Sequence, residues 1–307
     1  MTARIRAVLG IVISAALLVL LLQFVSVEEV AAAVRSCDPG LLLAAVLAHG
    51  VMLLVRLQRF STLAGEPRIS RAACEAVFVG WLANLTLPAK AGELARPAVY
   101  ARRSEMSFVG AAAAVIVERL LDLVSLAALF ATAVLLGLPP DTPPWIEIAA
   151  KISGGLALAG LVGLGVLARL GAFPMFREGL SALEGKRLPL VVLLSVVVWA
   201  LEVLAAWLCI DAVGALPDGA WAASAVLVVA TTLAVAAPAG PAGLGVEQWV
   251  ALGVLAVWGI EGSAAVAISF VMLFAAAAFI VPIGLALVPS AMKGTDASSV
   301  SPTVVAE

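Results

Sequence analysis

NLTLPAKAGELARPAVY, residues 84–100, interrupts an otherwise apolar chain with two prolines, a glycine and three charged side chains. The hydrophobic run leading into it, residues 74–88, is about 15 residues long, whereas crossing a bilayer takes roughly 17 to 25. Such a segment enters the membrane and turns back. Unpaired peptide groups are costly in lipid, so irregular backbone at that depth survives only where protein buries it or where it lines a wet cavity. The Pro-Ala-x-x-Gly break is therefore where function is expected.

The rest of the chain agrees with a membrane setting. Of its 307 residues, 64% are hydrophobic and 12% charged, and the mean hydropathy is +1.16. Soluble domains carry about a quarter charged residues, so this composition excludes a soluble globular protein and points to an all-α polytopic membrane protein. The net charge of −2 carries no basic signature of a nucleic-acid partner. A single histidine, His49, removes most histidine-based catalytic or metal sites, and it is expected as a packed, hydrogen-bonded core residue. Cys37, Cys74 and Cys209 lack metal-ligand spacing. Cys37 and Cys209 both fall near the outer face, which leaves a disulfide between them open. No metal or cofactor is expected.

Taken in order, the apolar runs at 7–27 and 41–57 read as two spans, joined by a loop with Glu28, Glu29, Arg35 and Asp38. Arg56, Arg59, Arg68 and Arg71 read as a basic loop ahead of the broken segment. Residues 108–138 form a third span. The next spans are 146–167 and 188–210, then 221–237 runs into a second break, PAGPAGLGVEQ at 238–248, and 264–288 is the last span. Cytoplasmic loops collect Lys and Arg, and an inside N-terminus places nearly all of them there, with Arg35, Lys151 and the intramembrane Arg119 as exceptions. That orientation requires 74–103 to be a re-entrant hairpin from the cytoplasmic face and 221–261 one from the outer face. Trp145, Trp207, Trp221 and Trp258 then mark the outer boundary.

The expected architecture is thus six full spans plus two broken hairpins, arranged as an inverted repeat. Residues 1–138 make the first half, 139–290 the second, and 291–307 a disordered cytoplasmic tail. Pro88 and Gly92 of the first break are echoed by Pro238 and Gly243 of the second. Inverted repeats with broken segments in matching positions point to a transport site near the midplane.

Three stretches, LPAKAGELARP at 87–97, VERLLDL at 117–123 and PAGPAGLGVEQ at 238–248, resemble signatures of the lysylphosphatidylglycerol synthase transmembrane-region family, also called flippase-like membrane proteins. The resemblance covers nearly the whole chain and matches the stand-alone form that lacks the synthase domain. It implies a multi-pass protein of the cytoplasmic membrane, both termini inside, that moves lipids or lipid-linked headgroups between leaflets. It also implies a glycosyltransferase or lipid-synthase partner.

The charges at membrane depth are the candidate headgroup-binding residues. Glu118, Arg119 and Asp122 share one helix at spacings of three and four, so they can contact one another or one ligand. At mid-bilayer each would cost about 2.5–3.5 kcal/mol unless paired or hydrated. The alternative is an ion pair that holds the bundle together. Lys90, Glu93 and Arg96 recur at helical spacing beyond the first break, where a cationic pair could hold a lipid phosphate and Gly92 could free backbone donors. Ordinary cytoplasmic charge is the alternative for these. Glu202 and Glu247 are further acids at membrane depth, and Asn84 is a polar group lining the turn. No catalytic residue is assigned. GLSALEGKR at 179–187 has one residue too many between its glycines for a phosphate-binding loop and no Ser or Thr after Lys186, so no ATPase engine is read. A secondary flippase or scramblase is the first reading. An intramembrane lipid-modifying transferase using Glu118 or Asp122 as base, or a non-transporting partner of a glycosyltransferase, is the alternative.

Overall fold

The computed structural model describes residues 3–87, 91–139, 187–235, 240–260 and 262–293, with scattered positions between 142 and 163. Pro88, Lys90, Pro238, Trp145, much of the expected span at 146–167 and the tail after 293 lie outside the described residues. Among the described residues the secondary structure is helical, without strands. We number the helices α1 (Ala3–Leu21), α2 (Val27–Arg35), α3 (Pro39–Leu63), α4 (Arg71–Thr86), α5 (Gly92–Arg103), α6 (Phe108–Gly137), α7 (Arg187–Ala212), α8 (Ala220–Ala234), α9 (Val246–Ala256) and α10 (Gly262–Met292).

Side chains placed just ahead of the apolar runs start several of these helices. Asp38 accepts from the Leu41 amide at 2.8 Å with Pro39 in the first turn, Ser70 accepts from Ala73 at 3.1 Å, and Ser107 accepts from Gly110 at 3.0 Å. Each oxygen satisfies one of the amides left without a helical partner at an N-terminus. Residues 28–35 are helical in α2 where a loop was expected. Ser26 caps them, with Glu28 and Glu29 at the positive end of the helix dipole and Arg35 at the negative end.

Three helices, α3, α7 and α10, are each long and apolar enough to cross a membrane. α6 has 30 residues, roughly 45 Å at 1.5 Å per residue. By contrast α4 has 16 residues, α5 12, α8 15 and α9 11. α3 differs from the expected span at 41–57: it continues to Leu63 and carries Arg56 and Arg59 within it. Leu57, Phe60 and Leu63 keep the apolar helical spacing past both arginines and are buried. The arginines stay inside because acids on other helices meet them, as described below.

α4 and α5 are antiparallel, because Asn84 meets Gly92, Gly80 meets Arg96, and Glu75 meets Arg103. Two glycines allow this approach. A Cβ on Gly92 would strike the Gly80 carbonyl oxygen and the Asn84 side chain, and one on Gly80 would strike the Arg96 side chain. α8 likewise packs on α9. Between them the described part of the second break is a single 3-10 turn, Pro241–Gly243, with Ala242 at φ 53° and Gly245 at φ 85°. A left-handed conformation is ordinary for glycine and uncommon for alanine. α1 clamps this turn. Ser14 Oγ accepts from the Gly240 amide at 2.8 Å, and Trp249 Nε1 donates to the Leu17 carbonyl at 2.8 Å.

The bundle is built around an extensive α3–α7 contact. α4 packs on α10 and on the Pro241–Gly243 turn, and α8 packs on α6. Leu57, Phe60, Phe78, Leu82, Leu121 and Trp199 belong to the main buried cluster, which joins α3, α4, α6 and α7. Cys37 and Cys209 are free thiols in a smaller cluster around Ala45 and Val271.

Candidate functional site

Charge inside the bundle is arranged in two layers. The inner layer is sealed. Glu118 of α6, fully buried, uses both carboxylate oxygens: Oε1 accepts from Arg59 Nη2 at 2.9 Å and Oε2 from Arg96 Nη2 at 2.7 Å. Arg59 also reaches Asp122 at 2.9 Å and donates to Ser195 Oγ of α7 at 3.1 Å. The Arg96 guanidinium stacks over the Phe60 ring, 4.8 Å from its centroid. Buried ions hold only where geometry and added hydrogen bonds offset the loss of water. Here α3, α5, α6 and α7 each supply part of that compensation.

The outer layer faces a cavity of about 300 Å³. Arg119 joins the two layers. Its Nη atoms lie 3.3 Å from Glu118 and 3.2 Å from Asp122, yet its side chain is 39% exposed and stands 3.7 Å from Glu93. Glu93 accepts from Asn84 Nδ2 at 3.3 Å, and Asn84 Oδ1 accepts from the Gly92 amide at 2.9 Å. One asparagine thereby fixes the start of α5 and aims its first acid. On the other side of the cavity Arg56 lies 4.0 Å from Glu202. Its Nε points to Met52 Sδ at 2.9 Å, and its guanidinium sits over Trp199, 5.1 Å from the ring centroid. Cation–π contact of this kind stabilises a guanidinium that is largely withdrawn from water.

Both breaks contribute walls. Asn84 and Leu87 come from the first hairpin, and Gly240, Ala242, Gly243 and Glu247 from the second. Of the residues expected from sequence, Asn84, Glu93, Arg119, Glu202, Glu247 and Gly243 line this one cavity. Arg96, Glu118 and Asp122 lie behind it in the sealed layer, and Gly92 serves the α4–α5 contact. Lys90, Pro88 and Pro238 are outside the described residues.

Two cavity residues and one sealed residue escaped the sequence reading. Arg56 and Arg59 were expected in a cytoplasmic loop. Arg59 is instead 0% exposed and Arg56 lines the cavity. The signal was the continued apolar spacing to Leu63, which kept both arginines on a helix. His49, expected to be hydrogen-bonded in the core, is buried at 7% exposure, makes no side-chain hydrogen bond among the described residues and lines the cavity two turns from Arg56. Among the described residues no group of three His, Cys, Asp or Glu is arranged to hold a metal ion. What the arrangement can do is bind: Arg56, Arg119, Glu93 and Glu202, in loosely closed pairs, line a cavity of mixed polarity inside an apolar bundle.

Residues 7–286 match the family model described as "Lysylphosphatidylglycerol synthase TM region". A curated relative, "Glycosyltransferase AglD" of Haloferax volcanii, is 29% identical over 159 residues, covering 51% of this chain and 25% of that protein. The chain thus matches about a quarter of the length of that relative.

Proposed function

The chain belongs to the lysylphosphatidylglycerol synthase TM-region family, a multi-pass membrane family, and on that premise we propose that it is a secondary lipid flippase or scramblase. The headgroup passes through the cavity between the two breaks while the acyl chains stay in lipid. The observation that carries this reading is the cavity itself. It is lined by residues beside the breaks of two helical hairpins from different parts of the chain, and by arginines and glutamates. Intramembrane ionisable groups facing a cavity mark substrate or ion pathways.

The proposed architecture is six spans and two re-entrant hairpins, in inverted halves 1–138 and 139–290. Reciprocal packing supports it. α10 packs on α4 as α6 packs on α8, α9 on α10 as α5 on α6, and α10 on α3 as α6 on α7. Exchange of the two halves maps each contact onto its partner, as a two-fold relation requires. The Lys and Arg distribution supports a cytoplasmic-membrane location with both termini inside.

Transbilayer movement in proteoliposomes tests the proposal, using acyl-labelled phospholipids with intact anionic, zwitterionic and aminoacylated headgroups and an impermeant quencher. Protein-dependent loss of protection, abolished by Arg119→Ala, is the expected result. No movement of any lipid by folded protein counts against transport. The relative's name favours a second reading, in which the chain acts beside a glycosyltransferase or as a lipid-modifying transferase. A new lipid product formed by the purified chain would identify the transferase.

A further inference from the structure

Two arginine–glutamate pairs face the cavity, and both are open. Arg56 stands 4.0 Å from Glu202 and Arg119 3.7 Å from Glu93, whereas the pairs of the sealed layer close to 2.7–2.9 Å. In each open pair the Glu Oε2 that faces the arginine is buried and accepts no hydrogen bond from the described residues. Glu247 adds a third carboxylate, so acids outnumber arginines in the lining.

Charge conservation inside the bundle restricts what can enter. An anionic headgroup would draw the guanidiniums to itself and leave the buried Oε2 atoms of the partly exposed Glu93 and Glu202 without a counter-charge, which is unfavourable. A purely cationic one would take Glu202 from Arg56, while Arg119 would keep Glu118 and Asp122. A headgroup that carries both charges exchanges partner for partner. Its phosphate accepts the forked donors of arginine, and its ammonium brings three donors to carboxylate oxygens that now lack them. Size narrows the choice further. A cavity of about 300 Å³ is the liquid share of about ten waters. That accommodates a phosphodiester with one small amine substituent.

We infer that the cavity selects a zwitterionic phosphoamine headgroup, its phosphate on Arg56 and Arg119 and its ammonium on Glu202 and Glu93. The inference rests on the reading of this cavity as the headgroup site. It makes Arg56 a phosphate-binding residue and converts the two open pairs into the selectivity device.

The test separates binding from movement. Binding of dihexanoyl phosphatidylethanolamine and dihexanoyl phosphatidylglycerol to the purified full chain is followed by tryptophan fluorescence, since Trp81 lines the cavity and Trp199 underlies Arg56. The ethanolamine lipid should bind about tenfold tighter or more, as charge-assisted hydrogen bonds to an added ammonium imply. Arg56→Met should weaken both lipids about tenfold. Glu202→Gln should shrink the preference to about threefold or less without weakening the glycerol lipid, and Glu93→Gln serves as an independent second variant. Equal affinities in the unaltered protein, or a preference that survives both glutamine variants, overturns the inference. In parallel, acyl-labelled forms of both lipids, with their headgroups intact, are followed across proteoliposomes. Preferential binding with no movement of either lipid keeps the headgroup inference and sinks the transport reading. Movement of both at one rate with equal affinities does the reverse.

Discussion

Glu118→Ala should unfold the bundle's charge layer rather than simply silence it. Glu118 is fully buried and stands within 3.3 Å of three arginines. Without it, Arg59 keeps Asp122 at 2.9 Å and Arg119 keeps Asp122 at 3.2 Å. Among the described residues Arg96 keeps no carboxylate. It is 0% exposed, its Nε and Nη1 already make no hydrogen bond, and the Phe60 face is its remaining support. Removing one member of a buried ion pair costs about 3–5 kcal/mol because the other charge is stranded. At roughly 2–4 °C per kcal/mol for chains of comparable size, the melting temperature should fall by roughly 6–20 °C. Thermal unfolding of the purified protein in detergent, read by tryptophan fluorescence and by retention of the monodisperse peak, measures this. The double variant Arg96→Met with Glu118→Ala removes the stranded charge and should recover about 1–3 kcal/mol, the coupling expected of groups in contact. A single variant that melts with the parent protein, or a double variant no better than the single, would refute the assignment of Arg96 to Glu118.

The cavity residues should behave differently. Arg119→Ala, whose side chain is 39% exposed, should cost about 1 kcal/mol or less in stability while lipid movement falls by an order of magnitude or more, so melting and transport measured on one preparation should diverge. Gly92→Ala places a Cβ against the Gly80 carbonyl oxygen and should destabilise by about 1–3 kcal/mol. Faster proteolysis within residues 84–100 would report the parted hairpin arms, and an unchanged melting temperature would show that the arms are not in contact. Ser14→Ala strips the Gly240 amide of its buried acceptor, a loss of about 1–3 kcal/mol that Ser14→Thr should largely restore. Equal melting of the two variants would remove the clamp from the account.

Much of the fold was legible because lipid leaves a chain few choices. Residues 108–138 and 188–210 are apolar over lengths that only a helix can bury, and α6 and α7 lie there to within two residues. Glu93, Arg119, Glu202 and Glu247 could be singled out because a charge amid apolar residues has no inexpensive place to stand. Sorting these charges into layers depended on tertiary structure. Glu118 and Arg119 are adjacent in sequence, yet the helix turns one toward Arg59 and Arg96 and leaves the other against the cavity. Arg59 looked like a loop residue because its compensation comes from Glu118, Asp122 and Ser195, 59 to 136 positions away in the chain. The sequence by itself determined that the charges at membrane depth had to be compensated, since each carries its desolvation cost wherever it sits. Only the tertiary structure decided which partner compensates each one, because ion pairing depends on distance in space, and it left Arg56 and Arg119 with room for a ligand.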